Sequence, residues 1–542
     1  MTRTLPPPAV AHLIDPTPTA YTYPLLIKQL LHSPLVHSPG QEIVYRDQLR
    51  YDYRTLRRRI GQLASGLTRF GIGLGDTVGV LDWDSHRYLE CFFAVPMLGA
   101  VLHTVNVRLS PEQILYTINH AEDDVILVHT DFLPLLEAIF DRIESVKKIV
   151  LLSDSAERPA TSLPVDAEYE HLLAASSAEF EFPELDENTR ATSFYTTGTT
   201  GLPKGVSFSH RQLVLHTLAG MAALGTAADG QRFLGADVYM PITPMFHVHA
   251  WGLPYIATVM GVKQVYPGRY TPDGLLGLIQ HEGVTFSHCV PTILHMLLNA
   301  PMSRHVDLTG WKVVIGGSAL PKALAQAALD RGIEVFGGYG MSETCPILTL
   351  AQLTPATHGS LETRVRAGRP IPLVELRTVD EEMHDASSGE VVVRAPWLTQ
   401  SYYKEAHNSE TLWRGGYLHT GDVGAIDDNG NLQITDRIKD VIKSGGEWIS
   451  SLDVEDILLQ HSSISEAAVV GVADERWGER PLALVVSKSP LTEDDVKAHV
   501  SQFAIRGVIS QWAVPSRVVF VEALDKTSVG KLDKKLMRQK YA

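Results

Sequence analysis

Tyr195-Thr-Thr-Gly-Thr-Thr-Gly-Leu-Pro-Lys-Gly205 decides how the rest of the chain is read. Its eleven residues hold three glycines, four threonines and one lysine. Glycine lets a backbone come close to a bulky anion with its free N–H groups turned inward. Threonine hydroxyls add donors, or an oxygen for a metal, and Lys204 is a compact charge on a flexible stem. Following a strand read over Thr192 to Tyr195, the stretch reads as a loop that holds a polyphosphate. It is not a Walker A loop, which wants glycine directly before the lysine where Pro203 stands. A plain surface turn would need neither the lysine nor so many hydroxyls.

Outward from this loop, strand-like and helix-like segments alternate. Upstream, Leu56, Ile60, Leu63 and Leu67 recur at helical spacing, with Arg57, Arg58 and Arg59 read as a solvated face. Gly71-Ile-Gly-Leu-Gly-Asp76 ends that helix; the spacing does not fit a dinucleotide fingerprint, which follows a strand. Thr77 to Leu81, Val101 to Val105, Asp124 to His129 and Lys148 to Leu152 read as strands, and Asp131 to Ile143 as a helix. Downstream, Leu275 to Glu282 and Thr292 to Asn299 are helical, and Thr285 to Cys289 and Val313 to Ile315 are strands. The alternation predicts an α/β fold with largely parallel sheets. Over about residues 366–435 it gives way to short strands and turns, which predicts an antiparallel, barrel-like subdomain. The last hundred or so residues read as a small α+β unit.

The chain has 542 residues, too many for one core, so two or more domains are expected. The predicted division is a large domain over 1–436, a hinge over 437–442 and a small mobile domain over 443–542. A net charge of −15 favours solubility and argues against a nucleic-acid surface. Cys91, Cys289 and Cys345 are odd in number and far apart, which fits a reducing compartment and offers no disulfide framework. The apolar run Cys91 to Leu102 is too short to span a bilayer, and Met1 onward lacks the apolar core of a signal peptide. The cytoplasm is the expected location.

Five further stretches are dense in chemistry. Gly316-Gly-Ser-Ala-Leu-Pro321 lacks the final glycine of a serine-hydrolase elbow and reads as a turn that packs a flat ring against backbone. Gly337-Gly-Tyr-Gly-Met-Ser-Glu-Thr344 combines an aromatic face, close-approach glycines and one carboxylate, which suits Mg²⁺ beside a polyphosphate. His419-Thr-Gly-Asp422 offers a carboxylate for the two hydroxyls of a ribose. Asp436-Arg-Ile-Lys-Asp440 lies where a hinge would sit, and Lys531 follows a glycine in the last exposed loop. His247 and His249 have no carboxylate or cysteine nearby and make a poor metal site.

Together these stretches, in this order, resemble the adenylate-forming superfamily of acyl-CoA synthetases, peptide-synthetase adenylation domains and luciferases. The resemblance covers the chain from about residue 40 to its end. Pro244-Met-Phe-His-Val-His-Ala-Trp251, Lys443-Ser-Gly-Gly-Glu-Trp-Ile-Ser-Ser451 and Glu479-Arg-Pro-Leu-Ala-Leu-Val-Val486 are similar to the bacterial medium- and long-chain fatty-acid:CoA ligases. The resemblance implies ATP-dependent ligation of a carboxylic acid, a medium- or long-chain fatty acid, to CoA through an acyl-adenylate, with release of pyrophosphate and AMP. A short thioether acid such as 3-(methylthio)propionate, or an aromatic acid, is the alternative. A carrier-protein adenylation domain is disfavoured, because no carrier follows Lys531.

By the same resemblance, Thr196, Thr197, Gly198, Thr199, Thr200 and Lys204 would hold the β- and γ-phosphates, and Thr196 or Thr197 would join Glu343 on Mg²⁺. Gly317, Gly338, Tyr339 and Gly340 would frame the adenine, with Met341 beside them and Ser342 on the α-phosphate. Asp422 would take the ribose, with Arg437 nearby; Lys443 and Trp448 match nucleotide-proximal positions. Lys439 would be the hinge and Lys531 the lysine that bridges ATP oxygens and substrate carboxylate. Thus Lys531, Glu343, Thr196 and Lys204 are the implied catalytic set. His247, Trp251 and Gly317 would line the acyl pocket, with Trp251 its gate, and Ser444, Gly445 and Gly446 would line the CoA channel. His249 stands where relatives tend to carry Asn, a change expected at the pocket mouth. A homodimer that exchanges its Pro-rich arm, and peripheral contact with a membrane, are compatible with this reading; a transmembrane segment is not expected.

Overall fold

The structure, a computed structural model, describes residues 13–155, 159–196, 202–228, 230–354, 357, 359–444, 447–527 and 530–541, with backbone alone at 447 and 448. Among these residues the strands form four sheets. The first runs Ala167–Glu168, Lys148–Leu152, Val125–His129, Thr77–Leu81, Val101–Thr104, Arg190–Thr196 and Lys204–Ser209. Every neighbouring pair is parallel except the last, a hairpin that sets Thr196 opposite Lys204 and Tyr195 opposite Gly205. The second sheet has a parallel centre built from Glu334–Gly340, Lys312–Ile315, Phe286–Cys289, Val238–Pro241, Lys263–Tyr266 and Glu42–Tyr45, with antiparallel strands at both edges.

These strands read as apolar runs because helices cover both faces of a parallel sheet. Val78, Val80, Leu127, Val150 and Leu151 are fully buried. The helix His86–Met97 is buried at every position; its two buried charges are paired, Arg87 with Asp82 and Asp154 and Glu90 with Arg59. The apolar run Cys91 to Leu102 begins in this helix and ends in the strand Val101–Thr104. Among the described residues no helix is long and apolar enough to cross a membrane.

The arginine face expected on the helix Tyr53–Arg69 needs correction. Arg58 is exposed, but Arg57 lies over the Phe182 ring and Arg59 pairs with the wholly buried Glu90 at 2.7 Å and with Glu170 at 2.7 Å. A carboxylate buried on the neighbouring helix draws Arg59 inward, which periodicity alone does not show. The helix expected over Asp131 to Ile143 is also interrupted: a 3-10 turn at Thr130–Phe132, the helix Leu133–Ile139 and a second 3-10 turn at Phe140–Arg142.

The turn-rich region is antiparallel as expected, with strands Glu375–Val379, Ser388–Arg394, Trp413–Arg414, Tyr417–Ile426 and Leu432–Arg437. The last sheet belongs to the small α+β domain. Ile442–Ser444, Glu447–Ile449, Ile464–Asp474, Gly478–Ser487 and Arg517–Phe520 pair there, beside the helices Ser451–Leu459, Glu493–Ile505 and Lys534–Tyr541. Two separate apolar clusters lie on its two faces, one holding Val469, Val485 and Val496 and the other Val470, Leu484 and Met537.

Candidate active site

The hairpin Arg190–Thr196 and Lys204–Ser209 closes the base of the phosphate-type loop. Thr197, Gly198, Thr199 and Thr200 lie outside the described residues, as do Gly445 and Gly446 and the side chain of Trp448. Past the hairpin, Ser209 and Gln212 form a reciprocal capping box that starts the helix His210–Gly225 and stiffens the loop's exit. Gly205 packs closely here: a Cβ would lie 3.1 Å from Tyr403 Cβ and 3.3 Å from the Tyr195 ring.

Lys204 does not stand alone. Its Nζ lies 4.8 Å from the centre of the Tyr402 ring, a cation–π distance. The Tyr402 hydroxyl donates to Glu343 Oε1 at 2.8 Å, and the Thr399 N–H donates to the Glu343 carbonyl at 2.9 Å. Tyr402 thus couples the lysine of one motif to the carboxylate of another. Sequence reasoning missed it: the run Thr399-Gln-Ser-Tyr-Tyr-Lys404 has no glycine cluster or spacing to mark it. Burial and Glu343 both push the Tyr402 hydroxyl well above its ordinary value, so it stays a donor.

Glu343 is buried in the 3-10 turn Ser342–Thr344, just past the strand Glu334–Gly340, whose glycines permit tight approach. A Cβ at Gly340 would collide with the Pro346 carbonyl. Tyr339 donates to Asp422 Oδ2 at 2.7 Å, and Arg437 Nε stands 3.3 Å from Asp422 Oδ1. Asp422 and Arg437 face each other across the antiparallel pair Tyr417–Ile426 and Leu432–Arg437. Burial raises the Asp422 carboxyl, with Arg437 opposing. Met341 and Ser342 sit half-buried between Tyr339 and Glu343.

The flat ring against the Gly316–Gly317 turn is that of Trp251. A Cβ at Gly316 would lie 3.0 Å from Trp251 Cη2 and 3.1 Å from the Gly338 carbonyl. A Cβ at Gly317, which has φ +81°, would lie 3.2 Å from Lys531 Cε. The last loop of the small domain therefore reaches the strand ends of the large one. Burial and Arg437 pull the Lys531 ammonium down to about 8, against the opposing pull of Asp422 and Glu343. The imidazole of His247 is pulled down to about 3, chiefly by burial and then by Lys531 and Arg108, so it is neutral at ordinary pH.

Trp251 ends a turn with unusual backbone. Val248, His249, Ala250 and Trp251 have φ of +48°, +56°, +48° and +58° and are followed by Gly252 at +74°. Each non-glycine residue in the left-handed region costs roughly 1–2 kcal/mol. The turn sets the Trp251 ring 5.0 Å from that of His288. His249 lies in the interior rather than at a pocket mouth: it is fully buried, with ring neighbours Phe92 at 5.6 Å and Phe194 at 5.5 Å. Neither of its ring nitrogens has a hydrogen-bond partner among the described residues.

Lys439 is exposed on the link between the antiparallel sheet and the small domain. Asp440 is buried and paired with Arg538 of the last helix. Lys443 donates its backbone N–H to Glu479 Oε2 at 2.9 Å, and Ser444 is buried with its hydroxyl unpartnered among the described residues. The structure thus gathers Lys204, Tyr402 and Glu343 into one run of contacts, and Tyr339, Asp422 and Arg437 into another. Lys531 feels charges from both. Among the described residues no group of three His, Cys, Asp or Glu side chains could hold a metal.

Two family descriptions match the chain: "AMP-binding enzyme" over residues 34–403 and "AMP-binding enzyme C-terminal domain" over residues 453–531. A long-chain-fatty-acid–CoA ligase of Thermus thermophilus is 41% identical, over 91% of this chain and 90% of its own. A 3-methylmercaptopropionyl-CoA ligase of Ruegeria lacuscaerulensis is 38% identical, over 96% and 98%. Among solved structures, the anthranilate CoA ligase AuaEII in complex with anthranoyl-AMP superposes with a TM-score of 0.84 at 22% identity, covering 96% of this chain and 98% of that one. At that identity the likeness speaks for the fold alone.

Proposed function

This chain belongs to the AMP-binding enzyme family, and we propose that it joins a medium- or long-chain fatty acid to coenzyme A through an acyl-adenylate, releasing pyrophosphate and AMP. The observation that carries the reading is the approach of Lys531 to Gly317, under the charges of Asp422, Glu343 and Arg437. The preference for a fatty acid rests on the likeness to the Thermus thermophilus ligase.

In the first step a carboxylate oxygen bonds to the α-phosphorus of ATP and the bond to pyrophosphate breaks. In the second the CoA sulfur bonds to the acyl carbon and AMP leaves. Neither step needs a protein nucleophile, so the chain's work is positioning and charge stabilisation. Lys531 brings a positive charge between substrate carboxylate and phosphate. Lys204 and the backbone of the loop from Thr196 take the leaving pyrophosphate. Asp422 has lone pairs left for ribose hydroxyls even with Tyr339 and Arg437 on it. Neutral His247 lines the site without adding charge against Lys531.

Glu343 spends one oxygen on Tyr402 and, among the described residues, keeps the other. One carboxylate oxygen with a threonine hydroxyl fits Mg²⁺, which fills most of its shell with phosphate and water. Glu343 and Thr196 would hold it, and it would neutralise phosphate charge when bound. Lys439 is the proposed hinge for rotation of the small domain between steps, after which Ser444 would face the pantetheine arm. Exposed Leu13, Ile14, Tyr21 and Tyr23 near the start of the described chain support a homodimer built by arm exchange. Deleting the arm should then convert a dimer to a monomer in sedimentation.

The test is ATP- and CoA-dependent AMP formation with acetate, butyrate, 3-(methylthio)propionate, benzoate, octanoate, dodecanoate and palmitate. The largest kcat/KM should fall on octanoate, dodecanoate or palmitate. A preference for 3-(methylthio)propionate or benzoate would establish the alternative; the likeness to the Ruegeria lacuscaerulensis ligase favours the thioether acid. CoA-independent turnover with a carrier protein would remove the reading altogether.

A further inference from the structure

Lys531 can reach the phosphate site only while the small domain is docked, so the contacts that dock it set how often adenylation can occur. Several join the two domains. Thr292 Oγ1 donates to the Gly530 carbonyl at 3.3 Å, beside Lys531. Ser450 Oγ donates to the Thr435 carbonyl at 2.6 Å, and the Ser451 N–H to Asp436 Oδ2 at 2.7 Å, both beside the link itself. One contact has a different character. Asp456, on the helix Ser451–Leu459, accepts at 3.1 Å from the backbone N–H of Lys322.

Lys322 opens the helix Lys322–Leu329. The first N–H groups of a helix have no partner within it and are usually met by a Ser, Thr, Asp or Asn just before it. Here that position is Pro321, which makes no side-chain cap. The Asp456 carboxylate meets the need from the other domain, where the helix dipole also favours a negative charge. Its second oxygen accepts from Gln460 Nε2 at 3.3 Å, which fixes its orientation. The Lys322 Nζ pairs with Glu362 at 2.7 Å within the large domain and is also attracted by Asp456 and Asp453 across the boundary, a weaker pull than that of Glu362. The helix follows directly from the Gly316–Gly317 turn. Lys531 and Asp456 therefore land on one continuous segment of the large domain, Gly316 to Lys322.

We infer that Asp456 is a positioning residue for acyl-adenylate formation: it caps the helix Lys322–Leu329 across the domain boundary and so holds Lys531 at the phosphate site. The inference rests on the proposed two-step reaction. Asp456 lies on the part that moves about Lys439, and Lys322 on the part that stays. The contact stabilises one pose and not the other, so it biases the balance between them.

The experiment separates the half-reactions. Adenylation is read as pyrophosphate release without CoA, with octanoate or 3-(methylthio)propionate, whichever the wild type uses faster. Thioester formation is read from the matching synthetic acyl-adenylate and CoA. Asp456→Ala should slow adenylation about fivefold to tenfold, the effect of losing a helix cap, and leave thioester formation unchanged or faster. Asp456→Asn keeps an acceptor oxygen and should recover most of the loss. Equal losses in both half-reactions, or no loss in adenylation, would overturn the assignment. A second readout needs no substrate: trypsin should cut at Arg437 or Lys439 several-fold faster in Asp456→Ala than in the wild type, and equal cutting would also count against the dock. A wild type that releases no pyrophosphate with either acid would overturn the proposed reaction, while the trypsin comparison would still judge the dock.

Discussion

Raising the pH should switch off the first half-reaction by discharging Lys531. Its ammonium, ordinarily at 10.5, is pulled to about 8 because burial and Arg437 outweigh Asp422 and Glu343. The charged form is the one below the pKa, so the useful charge is present at neutral pH and lost as pH rises through about 8. Above that point each further unit should lower the charged fraction, and kcat/KM for adenylation, about tenfold. The profile of kcat/KM reports the free enzyme; that of kcat, with ATP bound, should fall at higher pH because triphosphate favours the ammonium. The assay is acid-dependent pyrophosphate release without CoA, from about pH 7 to about pH 9.5. Thioester formation from supplied acyl-adenylate should instead quicken over this range, as more of the CoA thiol ionises to the nucleophilic thiolate. Lys531→Arg stays charged throughout and should lose the falling limb, though its absolute rate will drop because the two cations differ in shape. A flat adenylation profile, or the same falling limb in both half-reactions, would refute the role given to Lys531.

Tyr402→Phe removes the donor to Glu343 Oε1 while keeping the ring under Lys204, and should weaken adenylation by about 1.5–3 kcal/mol, roughly tenfold or more, mostly through a higher KM for Mg·ATP; titrating Mg²⁺ at fixed ATP checks it, and an unchanged KM would detach Tyr402 from the site. Trp251→Ala should alter the acid chain-length profile more than the KM for ATP, since its ring covers the Gly316–Gly317 turn; an unchanged acid profile would remove the gate assignment. Arg59→Ala leaves Glu90 buried without its cation, which should cost about 3–5 kcal/mol of stability; a denaturant midpoint equal to that of the wild type would show the pair to be dispensable.

Much of the candidate site was legible because the residue types suited to phosphate and nucleotide chemistry stand in short local runs. Glycine-rich turns, hydroxyls beside a lysine and a carboxylate after glycines are adjacent in the chain, and each run can be read without knowing its neighbours. Tyr402 was not legible because its value lies in two contacts, one to Lys204 and one to Glu343, and neither is local. Arg59 shows the same limit: helical spacing says which side faces the core, but not that Glu90 waits there for a cation. Asp456 reads as an ordinary helix carboxylate until Pro321, on another domain, is found to leave a helix uncapped.

By itself the amino-acid sequence determined the alternation of strand and helix, the change to antiparallel strands before the tail, and the order of the glycine-, hydroxyl- and charge-rich motifs. These follow from periodicity and backbone preference, which act over a few residues. Tertiary structure decided which strands become neighbours; Glu42–Tyr45, for example, joins Lys263–Tyr266 in the second sheet rather than the first. It also decided that Trp251 lies against Gly316 and Lys531 against Gly317. Those outcomes rest on hydrogen bonds and packing between segments far apart in the chain, where the partner's position exists only once both domains have folded.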